Sequence, residues 1–164
     1  MRRVGFAILL ASLTSAAPVE AQPAGLAYTD PRVGSTVLMA YRRAHEKLTG
    51  PACRQIYSDF EASGLRLDAV LAGTGRSASE HFRSLRFQDG DTKPACRRGG
   101  ILAFTSPGSS VVYLCTRLFA EAARENVDVA AATLIHEHLH SLGLCENPPT
   151  AAEITDRVLQ RCGR

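Results

Sequence analysis

His136-Glu137-His138-Leu139-His140 decides how the rest of the chain is read. The pattern is H-E-x-x-H. Histidines four apart on a helix lie one turn apart on one face, so both imidazoles reach a single point. Glu137 projects beside that face, where a carboxylate can deprotonate a metal-held water. The flanking residues predict a helix. Asp128 is placed to cap it, and Val129 to Ile135 lead straight into the motif. Ile135, Leu139 and Leu142 recur at i, i+4 and i+7 as a buried stripe. Gly143 is suited to end the helix in a left-handed conformation. His138 points about 200° away from His136 around the helix, so it reads as a surface or core polar residue and not a ligand. A helix whose histidines bind nothing would leave polar groups unpartnered on an apolar segment, which is costly.

The N-terminus reads as an export signal over residues 1–21. Arg2 and Arg3 precede an apolar run from Val4 to Leu13, and Val19-Glu20-Ala21 is an acceptable cleavage site before Gln22. That run is too short to span a bilayer, and no second apolar span of membrane length follows, so no membrane association is expected of the mature form. The expected location is secreted or periplasmic. Residues 22–32 read as a Pro/Gly-containing linker, and residues 33–164 as one domain, long enough for a real core.

Removing residues 1–21 leaves 17 basic against 15 acidic side chains. The basic residues are scattered and not interleaved with aromatics, so no nucleic-acid partner is expected. All five cysteines, Cys53, Cys96, Cys115, Cys145 and Cys162, follow the signal. Export makes disulfides the expected state, and the odd count leaves one thiol over. Cys162 is placed to staple the last helix, and Cys145, beside the metal helix, is the expected free thiol. No C-x-x-C is present, which argues against a cysteine zinc site.

Helical periodicity runs from Val33 to Leu48, with Val37, Ala40, Tyr41, Ala44 and Leu48 on one face. Gly50-Pro51 ends it. His45 and Glu46, near its end, read as an exposed pair. Ser77 and Glu80 form a capping box for a short helix, and Thr150 and Glu153 form another for the last one. Asp89-Gly90-Asp91 reads as a turn, because the rest of a calcium loop is missing. Gly99-Gly100 opens the one clear β region. Ile101 to Phe104 and Val111 to Cys115 flank a Ser106-Pro107-Gly108-Ser109 turn as a hairpin. Thr116 is placed to cap the helix that follows. The expected fold is α+β, a mainly helical domain with a small sheet beside the H-E-x-x-H helix.

The segment from Val111 to Glu146 resembles the catalytic core of zincin metallopeptidases: a strand, a short helix, then Ala132-Thr133-Leu134-Ile135-His136-Glu137-x-x-His140. Its continuation to Glu146 is similar to the metzincin extension H-E-x-x-H-x-x-G-x-x-H, with Glu146 where the third histidine would stand. No methionine follows the motif, so the Met-turn of that subgroup is missing. The resemblance implies an exported peptidase. His136 and His140 would hold Zn²⁺ with a third protein ligand, and Glu137 would act as general base. It further implies that strand Val111–Cys115 is a sheet edge receiving an extended peptide or protein substrate.

Glu146, six residues after His140, is the expected third ligand. Glu153 and Asp156 on the following helix are the competitors, and Cys145 is a weaker one. Two rival classes stand beside the peptidase. One is a non-catalytic zinc protein with a closed four-ligand site; the other is a disulfide-stapled secreted binding module.

Overall fold

The computed structural model describes residues 31–163. The signal segment and residues 22–30 of the expected linker lie outside the described residues. Helix α1 begins at Pro31, two residues inside the stretch assigned to that linker.

In chain order, α1 (Pro31–Thr49) is followed by α2 (Pro51–Arg54), a 3₁₀ turn (Gln55–Ser58), β1 (Glu61–Ala62), β2 (Leu65–Arg66), α3 (Leu67–Gly73) and α4 (Ala78–Arg83). Then come β3 (Arg86–Asp89), α5 (Pro94–Arg97), β4 (Ala103–Thr105), β5 (Val111–Leu114), α6 (Thr116–Glu125), α7 (Val127–Ser141) and α8 (Ala151–Cys162). The architecture is α+β and mainly helical, as the periodicities predict. No described helix is long and apolar enough to cross a membrane.

The face of α1 read from the sequence is the buried one: Val37, Ala40, Tyr41, Ala44 and Leu48 are all in the core. It packs on α6 and α7. Helix α7 is enclosed almost all round; from Ala130 to Ser141 only Thr133 is not buried. Such a helix is the centre of a domain, not its surface. Ile135 and Leu139 have no exposed surface. At its C-terminus Gly143 takes φ +98°. The amide of Leu144 reaches the Leu139 carbonyl and that of Gly143 the His140 carbonyl, which closes the helix as a Schellman motif.

The N-cap of α7 is Asn126, not Asp128. The Asn126 side chain accepts from the amides of Asp128 and Val129 at 3.0 and 3.3 Å. Asp128 instead binds Arg43 at 2.8 Å and the buried Lys47 at 3.1 Å, tying α7 to α1. Thr116 likewise is the first residue of α6, and its hydroxyl donates to Asp89.

The larger sheet corrects the strand reading. Its order is β3-β5-β4, with β3 parallel and β4 antiparallel to β5. Strand Val111–Leu114 is therefore central, paired on both sides, and is not a substrate-receiving edge. The neighbour that encloses it, β3, carries one buried residue, Phe87, which packs against Tyr41 and Phe82. The β4–β5 hairpin itself forms as expected, and β4 lies against α7.

Two disulfides form, Cys53–Cys162 and Cys96–Cys115, and Cys145 is free and exposed. Cys162 thus ties α8 to α2, the staple expected of it.

Candidate metal centre

His136 and His140 both project from the buried face of α7, and each is less than a tenth exposed. Their Nε2 atoms are 2.9 Å apart. Past Gly143 the chain turns back and brings Glu146 to them. Its Oε1 is 3.3 Å from His140 Nε2 and 3.7 Å from His136 Nε2. Two ligands of a tetrahedral zinc with bonds of about 2.05 Å stand about 3.3 Å apart, and the three sides of this triangle bracket that value. His136, His140 and Glu146 therefore form a group that can hold a metal ion.

The donor set fits a cation. His140 Nδ1 is 2.7 Å from the Leu144 carbonyl, which can only accept, so the proton sits on Nδ1 and Nε2 presents a lone pair. Glu146 brings a second electron-rich atom to the same point and His136 a third. A proton on His136 could satisfy one of these contacts; a cation satisfies all three. Burial, and then the neighbouring His140, pull His136 down to about 4 against the weaker opposing effect of Glu146. It is neutral at pH 7, as a ligand must be.

Glu137 sits beside this triangle and outside it. The Thr105 amide at the end of β4 bonds its carboxylate. Its Oε2 is buried with no hydrogen-bond partner among the described residues. Burial, and then the charge of Glu146, push its carboxyl up to about 8. A carboxylate held this way is poised to take a proton near neutral pH. The Gly108 amide donates to the His140 carbonyl at 2.8 Å, which fixes the turn after β4 against the end of α7.

His138 is a core polar residue, as its angle on the helix predicts. It has no exposed surface, and its ring nitrogens meet the Tyr57 hydroxyl at 3.0 Å and His81 Nδ1 at 2.8 Å. Burial is the largest cause that pulls it down to about 3, so it stays neutral.

The competing ligands lie elsewhere. Glu153 is exposed and closes the capping box of α8, its Oε2 2.7 Å from the Thr150 amide. Asp156 and Cys145 are exposed and outside the triangle. Glu46, read with His45 as an exposed pair, is exposed and bonded to Arg43 at 3.2 Å. Three contacts escaped the sequence: the Leu144 carbonyl, the Thr105 amide and the Thr155 hydroxyl, 2.9 Å from His136 Nδ1. Two are backbone groups. Thr155 stands 19 residues beyond its partner, with no spacing to mark it.

An open groove of about 560 Å³ adjoins the loop that carries Glu146. Its walls are residues 59–61, Pro148-Pro149 and the outer face of α8, and none of the three candidate ligands lines it.

The chain matches no protein-family model, no curated protein and no solved structure.

Proposed function

We propose that the protein is an exported zinc-dependent peptidase of the zincin type. The observation that carries the reading is the convergence of His136 Nε2, His140 Nε2 and Glu146 Oε1 beside a buried, half-satisfied Glu137 carboxylate. When bound, zinc supplies Lewis acidity that makes a water acidic near pH 7 and polarises a carbonyl. His136, His140 and Glu146 hold the ion. Glu137 accepts the water's proton and passes it to the leaving amine. The Thr105 amide keeps the carboxylate in place for both transfers. An extended peptide would add to the part of the outer edge of β4 that Glu137 leaves open, since among the described residues that strand pairs only with β5, whereas β5 is paired on both sides.

A closed structural site is the rival, and the ligand count favours catalysis. Only three side chains among the described residues converge, and Glu153 and Asp156 do not join them. Catalytic zinc sites have three protein ligands and one open position; structural ones have four. The two disulfides support the oxidising compartment that the signal segment implies.

The test is digestion of a peptide library by the zinc-loaded protein, read by mass spectrometry. Cleavage that stops with chelator and returns with zinc supports the reading. Full zinc occupancy with no cleavage of any library member would make the site structural.

A further inference from the structure

We infer that Thr155 is a positioning residue that fixes which nitrogen of His136 faces the ligand triangle. This inference rests on the zinc reading for its purpose, while its geometry stands alone. A histidine at this site is useful only with Nε2 bare and directed at Glu146 and His140. That requires the proton on Nδ1, and Nδ1 needs an acceptor. For His140 the acceptor is the Leu144 carbonyl, a backbone group of its own helix terminus. His136 lies one turn earlier. The group at its Nδ1 comes from another element: the Thr155 hydroxyl on α8, at 2.9 Å, which can accept from Nδ1–H once Nε2 is given to a cation.

The helix that carries Thr155 is held at both ends and along its inner face. Thr150 and Glu153 cap its start. Ile154 and Val158 are buried against the core. At its end Cys162 is bonded to Cys53, and the Arg161 guanidinium grips Asp59 through two bonds of 2.7 and 2.8 Å. Thr155 follows Ile154 on this helix and is itself half-buried. The α7–α8 loop also carries Glu146. Seating α8 therefore sets both the orientation of one histidine and the reach of the third ligand. No ligand comes from α8 itself.

The test compares wild type, Thr155→Val and Thr155→Ser by two readouts. One is the His136 ring in zinc-loaded protein at pH 7 by ¹H–¹⁵N NMR, where an Nδ1–H held by a hydrogen bond is visible and exchanges slowly with water. The other is zinc affinity by competition with a chromophoric chelator. Wild type and Thr155→Ser should show a slowly exchanging His136 Nδ1–H and bind zinc within about threefold of each other. Thr155→Val, which keeps the shape and loses the acceptor, should lose that protection and weaken zinc roughly 10–100-fold. A valine variant with wild-type protection and affinity would overturn the inference, whatever its thermal stability. If wild type binds no zinc at all, the zinc reading fails and the inference falls with it, whereas zinc bound equally by wild type and Thr155→Val overturns the inference alone.

Discussion

The Nε2 atoms of His136 and His140 face each other across 2.9 Å, while the Nδ1 atom of His140 is bonded to the Leu144 carbonyl at 2.7 Å. Helix geometry makes the first contact: residues four apart share a face, and α7 buries that face at its C-terminal turn. The Schellman closure at Gly143 makes the second, because it turns the Leu144 carbonyl back toward the last turn. One glycine thus sets a histidine's tautomer and sends the chain back so that Glu146 arrives at the same point.

Glu137→Gln separates proton transfer from metal holding. Glu137 is not one of the three converging ligands, so the variant should keep zinc at wild-type stoichiometry. Peptide hydrolysis should fall by roughly 10²–10⁴-fold, the usual worth of a general base. Metal analysis and kcat on the same preparation check both halves, and a variant that cleaves at the wild-type rate contradicts the assignment.

The third ligand is tested by Glu146→Ala against Glu153→Ala. Removing Glu146 should weaken zinc by at least tenfold with little change in metal-free stability, since that side chain is partly exposed. Removing Glu153 should leave zinc affinity intact and cost about 1 kcal/mol through the lost capping box. Chelator competition and urea melts read the two quantities, and the opposite pattern would move the site to the following helix.

These contrasts mark what the sequence could reveal. Helix α7, its buried stripe, its Gly143 stop and the reach of Glu146 all follow from spacings of a few residues. Such spacings survive into the fold because helix geometry is local. The sheet order does not. Strand β3 is Arg86-Phe87-Gln88-Asp89, with a single buried side chain, so it lacks the alternation that identifies a strand. Without it, β5 reads as an edge; with it, β5 is central and β4 becomes the free strand beside α7. The cap of α7 shows a closer competition. Asn126 and Asp128 both have capping side chains, and Asp128 is drawn to Arg43 and Lys47 on α1, more than 80 residues earlier. Thr155 is a similar case: its partner is set by how α8 docks, which no local pattern encodes.

The cysteine assignment predicts one reactive thiol per chain in denatured, unreduced protein, and that thiol is Cys145. Replacing Cys53 and Cys162 together should destabilise the fold by about 2–5 kcal/mol, because their bond closes a long loop. Thiol titration and denaturant melts measure these. Five reactive thiols would contradict both the pairing and the export reading.

Stability of the metal-free protein should peak near pH 6.5. Glu137 is pushed up from 4.5 to about 8, so the folded state holds a proton that the unfolded chain releases. That contribution is full below 4.5 and is lost as pH rises through about 8. His136 and His138 are pushed down from 6.5 to about 4 and about 3. Their contributions are full above 6.5 and are lost as pH falls through those lower values. Between 4.5 and 6.5 the two histidines outweigh the one carboxyl, and above 6.5 the carboxyl acts alone. Urea melts of chelator-treated protein at pH 4.5, 6.5 and 8 should show a rise and then a fall, with the fall absent in Glu137→Gln. A stability that keeps rising to pH 8 in wild type would contradict the buried carboxyl.

The central claim is that His136, His140 and Glu146 hold one zinc ion with a position left for water. X-ray absorption of the zinc-loaded protein at one equivalent tests it most directly. The account predicts two imidazole ligands and oxygen donors at about 2.0–2.2 Å, with the imidazole scattering lost in His136→Ala and His140→Ala. Failure to retain zinc, or a sulfur scatterer at about 2.3 Å that would bring Cys145 into the shell, would contradict it.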